Sequence, residues 1–225
     1  MWALVDDSNN VTNVYGTFPP KITINDRNYD GKELKGMSEV EKNAIKIYEV
    51  TTASRFNENY YINNNPTYAL VGTKVVETIT KAADKVLTDV NEVWTQKEID
   101  DGYAPDGTSA NDAKNDEDGN QIVTLGLKSN AKNKITTQAN GYLQGFDWLI
   151  QRKVTANTAI PSAVTTYMAA IRTDHGNICT ALDAAADMDA FIALHTTTYN
   201  ADNTVNVIAK TQSWTSDANV KAYRR

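Results

Sequence analysis

Apolar and polar residues alternate through residues 1–80, the period of half-buried strands. Trp2-Ala3-Leu4-Val5 and Val11-Thr12-Asn13-Val14-Tyr15 flank Asp6-Asp7-Ser8-Asn9-Asn10. Asn and Asp tolerate the left-handed backbone of a tight turn, so these runs are predicted to pair as a hairpin that stops at Pro19-Pro20. Lys21-Ile22-Thr23-Ile24-Asn25 alternates again, with Ile22 and Ile24 on one face. Ser38 and Glu41 have the spacing of a capping box and predict a short helix over 39–45. Strand alternation resumes at 45–50, 60–62, 67–71 and 75–79, and the last three runs read as a small meander.

The period then lengthens. Val86, Val90 and Val93 recur at spacings of four and three, which predicts a helix over 82–94. Residues 100–120 hold Asp-Gly pairs at 101–102, 106–107 and 118–119, with Pro105 and almost no large apolar residue. Such a segment is expected to be an exposed loop. Beyond Lys128, the stripe Ile135, Tyr142, Leu143, Phe146 and Leu149/Ile150 predicts one long amphipathic helix over 129–153. Pro161 suits the first turn of a second helix, whose apolar face is Val164, Tyr167, Met168, Ile171 and Ile178 and which runs to about residue 182. A third helix, Asp187 to Leu194, starts with acidic residues at its positive end. Short connections favour an antiparallel three-helix unit, and alternation over 204–209 predicts a closing C-terminal strand. The expected fold is therefore α+β. A β-rich docking module (1–80) is followed by a connecting segment with an acidic exposed loop (81–127) and a helical module with a C-terminal strand (128–225).

Composition narrows the partners. The 225 residues carry 22 Lys+Arg and 28 Asp+Glu, a formal charge of −6, without a long basic run, so a phosphate backbone is not an expected ligand. No apolar run approaches the ~18 residues of a membrane span, and the opening residues lack the regions of a signal peptide, so synthesis in the cytoplasm without secretory export is expected. The 24 Asn and 27 Thr favour turns and strand surfaces. A single Cys179 makes no internal disulfide.

Reactive groupings are sparse. His175 and His195 stand outside any Cys/His ligand spacing, and Cys179, four residues after His175, reads as a small buried thiol. Phosphate-cradling glycine motifs do not occur. Aligning Gly119 with the glycine of a calcium loop places Asp116 and Asp118 correctly, but leaves Lys114 first and Leu125 last. An irregular site from Asp116, Glu117 and Asp118 is the alternative to a solvated turn. The reading predicts no catalytic residue, no cofactor and no metal. Trp148 and Arg152 lie four apart, so the guanidinium can cover the indole face.

Phe146-Asp147-Trp148, Arg152-Lys153, Ala159-Ile160-Pro161 and the run from Val164 to Arg172 resemble a segment of tailed-bacteriophage tail and tail-fibre-assembly proteins. The opening Trp2-Ala3-Leu4-Val5-Asp6 with Asn10 to Gly16 resembles the start of phage virion proteins. The resemblance implies a tail, baseplate or fibre component located in the virion. It would be a non-enzymatic connector that oligomerises, as a trimer or hexamer, and joins other tail proteins. Trp2, Tyr60, Tyr61, Trp94, Trp148, Arg152 and Trp214 are the candidate contact residues, with core packing the expected fate of most of Trp2, Tyr60, Tyr61, Trp94 and Trp214. Two alternatives stand beside this: a tail or fibre assembly chaperone, and a receptor- or glycan-binding fibre component using Tyr60 to Asn65.

Overall fold

A computed structural model describes residues 1–24 and 26–225, which divide into two compact units, Met1–Asp84 and Lys85–Arg225. Strands and helices occur in both, and the fold is α+β.

The first unit contains β1 (Trp2–Val5), β2 (Val11–Tyr15), β3 (Lys21–Ile24), β4 (Arg27–Asp30), α1 (Gly31–Gly36), α2 (Glu39–Ala44), β5 (Ile47–Thr51), β6 (Tyr61–Asn63), β7 (Thr67–Val71), β8 (Lys74–Thr78) and β9 (Lys81–Asp84). Its main sheet has the order β2-β1-β5-β8-β7, antiparallel except for the parallel pair β5–β8. Alternation sends Ala3, Val5, Val50 and Val75 to one core, with Tyr68 and Leu70. Trp2, Leu4 and Ile47 face a second core made with Phe18, Ile22, Ile24, Tyr29 and Leu34. The capping box forms as the spacing predicts: Glu41 donates its N–H to Ser38 Oγ, and its carboxylate accepts from the Ser38 N–H at 2.7 Å.

Two sequence expectations change here. Ile45 caps α2 and Lys46 has φ 64°, so the following strand begins at Ile47 and not at 45. The expected meander is only a β7–β8 hairpin, because β6 pairs with β9. Asn64 extends that pairing by donating from its backbone N–H and its side-chain amide to Thr80. Asn25, expected to extend β3, lies outside the described residues.

The second unit contains β10 (Val90–Asn91), α3 (Gln96–Asp100), β11 (Val123–Thr124), α4 (Leu127–Gln144), α5 (Asp147–Ala156), α6 (Ser162–Ala184), α7 (Met188–His195), β12 (Thr198–Tyr199) and β13 (Val205–Val207). The α4 and α6 helices run antiparallel: Lys132 at the start of α4 bonds Asp183 at the end of α6, Thr136 meets His175, and Phe146 beyond α4 meets Tyr167 early in α6. Their core gathers Ala139, Phe146, Leu149, Val164, Tyr167, Met168, Ile171 and Val220. Pro161 is the N-cap of α6, one place before the expected first turn.

The long helix expected over 129–153 is two helices. Gly145 ends α4 with right-handed helical angles, Phe146 departs from them at φ −111° and ψ 0°, and the break drops Phe146 into the core with no exposed surface. The helix expected over 82–94 does not form either. Carbonyls of Val86 and Leu87 accept from Leu127 and Lys128, and the Asp89 carboxylate accepts from Gly126 N–H and Ser129 Oγ. Segment 86–89 thus satisfies the first N–H groups of α4, whose N-cap, Gly126, has no side chain to do so. The final expected strand is one arm of the β12–β13 hairpin.

One loop recurs at three hairpin tips: residues 6–10, 116–120 and 200–204. In each, the first residue's N–H donates to the fifth carbonyl and the fourth N–H donates to the first carbonyl. The fourth residue is left-handed, at φ 66° for Asn9, 83° for Gly119 and 63° for Asn203. This is the three-residue hairpin loop with a left-handed closing position, which Asn and Gly favour.

Asp89 predicts a pH dependence. Its carboxyl lies below the ordinary value of 3.8, chiefly because it accepts the Gly126 N–H and then the Ser129 hydroxyl. A depressed folded-state pKa stabilises above the unfolded value and is lost as pH falls through the folded one. Asp89→Asn is therefore expected to lower the urea midpoint at neutral pH, with the deficit closing below pH 3.8.

Candidate protein-interaction surfaces

The segment that caps α4 continues as an irregular ribbon. Pairs Val90↔Thr124 and Asn91↔Val123 are extended by the Glu92 N–H to Ile122 carbonyl bond and by bridges Val93↔Ala113 and Asn115↔Gln121. Directly paired residues share a face and neighbours alternate, so Val90 and Val123 point to opposite sides. Val86, Val90, Val93, Ile122, Val123 and Leu125 remain 38–55 % exposed. Aliphatic side chains thus stand in solvent on both faces of a two-stranded structure, which is marginal alone in water. The β12–β13 hairpin repeats the pattern with Tyr199, Val205 and Val207 exposed, followed by Ile208.

A second surface forms where the chain end crosses the α4–α5 break. Trp148 donates its indole N–H to the Tyr223 carbonyl at 2.9 Å. The Arg225 guanidinium lies 4.1 Å from the Trp148 ring centre and that of Arg152 at 5.8 Å. Arg224 pairs with Asp217, donates to the Tyr142 carbonyl and covers Gly145. Trp214 packs on Tyr142 at 5.2 Å, and Thr215 is held by Asp174. An open cleft of about 570 Å³ is lined by Gly141, Gln144, Gly145, Asp147, Arg224 and Arg225.

The structure therefore brings Trp148 and Arg152 together, as their i,i+4 spacing suggests, and sets Trp214 in the same core. The other four candidates make half-buried structural contacts, each within its own unit. Trp2 stacks on Phe18 at 5.7 Å beneath the Lys42 ammonium at 4.5 Å. Tyr60 and Tyr61 pack edge to face, with Lys81 over Tyr61 at 4.8 Å. Trp94 lies under Lys114 at 4.9 Å, and that ammonium is 2.6 Å from Glu98. The Lys114 ammonium, followed by the Thr95 N–H, pushes the Glu98 carboxyl down to about 2. Arg225 and the six aliphatics of the ribbon were not candidates; a contact between Arg225 and Trp148 has no local signature in sequence.

The chemistry-bearing groups have structural occupations. Asp116 spends its oxygens on the N–H groups of Asp118 and Asn120, the bonds of a turn, and no metal-holding group of three His, Cys, Asp or Glu residues occurs among the described residues. Cys179 Sγ lies 3.6 Å from His175 Nε2, and burial pushes the thiol up, which keeps it protonated at neutral pH. Among the described residues, no helix is long and apolar enough to cross a membrane. No protein family matches the chain, and no curated protein or solved structure does either.

Proposed function

We propose that the chain is a non-enzymatic structural component of a tailed-phage virion, a tail, baseplate or fibre adaptor that self-associates and connects other tail proteins. The observation that carries the reading is the ribbon with exposed aliphatic side chains on both faces. Covering it in an assembly gives each of six half-exposed side chains on the order of 1 kcal/mol. Two copies together then contribute about 10 kcal/mol, within the roughly 4–15 kcal/mol that association costs in lost freedom. The ribbon is therefore large enough to anchor an oligomer but needs added contacts to make a tight one. The resemblance of the residues around Trp148 and Pro161 to tail-protein segments supports a tail as the setting of that oligomer.

Two measurements test this. Mass spectrometry of purified particles of the encoding phage should find the chain in multiple copies; its absence from particles would remove it from the virion. Val90→Asn combined with Val123→Asn should weaken self-association by at least about tenfold in light scattering, with unchanged circular dichroism. Unchanged association would mean that the ribbon is not the interface.

A further inference from the structure

We infer that the Arg152–Trp148–Arg225 platform receives the Glu117–Asp118 tip of the 115–121 hairpin from a second copy of the chain, an inference that rests on the self-association proposed above. The platform is basic and pre-set. Trp148 is fixed by its bond to the Tyr223 carbonyl, and the two guanidinium groups lie near its ring at 4.1 and 5.8 Å. Neither has a carboxylate partner among the described ion pairs. Guanidinium groups held on an aromatic lose less freedom on binding, and their planar forks match a carboxylate. Within the adjoining cleft, Arg224 is already paired with Asp217, and Asp147 is the one carboxylate of the lining. Gly141 and Gly145 add no side chain to the lining. The unoccupied chemistry is that of a receiver for projecting carboxylates.

The chain offers one such projection in a rigid form. Asp116 is consumed in the turn, but Glu117 and Asp118 stand exposed at the tip, again without an ion-pair partner among the described residues. The left-handed Gly119 and the Asn115↔Gln121 bridge hold the tip as a knob. Charge complementarity selects this occupant: two unpaired cations against two unpaired anions on a different surface of the same unit. Because the two surfaces differ, the contact is heterologous and generates a ring where its rotation closes.

Light scattering and sedimentation velocity on the full chain test it. Arg152→Glu with Arg225→Glu should weaken association by about 10- to 100-fold, and Glu117→Arg with Asp118→Arg by a similar factor. Mixing the two double variants should bring back association between unlike copies, in open chains and even-membered rings, since each unlike contact then meets a complementary surface; a misfolded variant would give no such rescue. Full association of the tip variant, or a mixture that stays dissociated, overturns the contact while leaving the ribbon interface standing. A wild-type chain that is monomeric at every concentration overturns both.

Discussion

Phe146→Ala is expected to cost the 85–225 unit about 3–5 kcal/mol, the range for emptying a fully buried aromatic site. Phe146 has no exposed surface, meets Tyr167 edge to face at 5.6 Å and lies 5.8 Å below the Arg224 guanidinium. It occupies the break between α4 and α5, so its loss also frees the hinge on which Trp148 and the chain end are placed. Urea denaturation followed by tryptophan fluorescence reads the change. Phe146→Leu, which keeps most of the volume, should cost under about 1.5 kcal/mol.

Gly126→Ala is the second large effect. A Cβ there would stand 2.4 Å from the carbonyl carbon and oxygen of Thr88 and 2.6 Å from the Leu87 oxygen. All three are backbone atoms, so no rotamer change relieves the clash and segment 86–89 must move off α4. That movement removes the acceptors of Leu127 and Lys128 and the Asp89 cap together. A loss of about 3 kcal/mol is expected, with hydrogen exchange at Leu127 and Lys128 accelerated first. Gly176→Ala, in the interior of α6 with open space around it, should instead stabilise by about 0.5–1 kcal/mol.

These two positions mark where sequence reading works and where it stops. The β1–β2 hairpin, the Ser38 cap and the apolar face of α6 are encoded by neighbours in the chain, and each forms where the pattern puts it. Val86, Val90 and Val93 have helical spacing, yet tertiary demand from the uncapped start of α4 takes their segment's carbonyls and leaves an extended path. The stripe through Phe146 is continuous in sequence although the helix is not, because a core contact with Tyr167 and the packing of Arg224 on Gly145 outweigh helix continuity. Both partners of that packing lie far apart in the chain, so periodicity carries no trace of them.

The candidate surfaces follow the same rule. Trp148 with Arg152 is a local pair and legible; Arg225 completes the platform from the far end of the chain. Most of the aromatic contact candidates pack within their own unit, as Trp2 does on Phe18. The exposed aliphatic residues of the ribbon lie in a segment whose polar neighbours mask them in composition.

Concentration-dependent hydrogen exchange on the full chain is the most direct test of the ribbon as an interface between copies. The amides of Glu92, Trp94 and Ile122, bonded across the ribbon, should exchange quickly in dilute solution. Their protection should rise together with the measured mass as concentration increases. Fast exchange at every concentration, with a mass that never exceeds one chain, would contradict it.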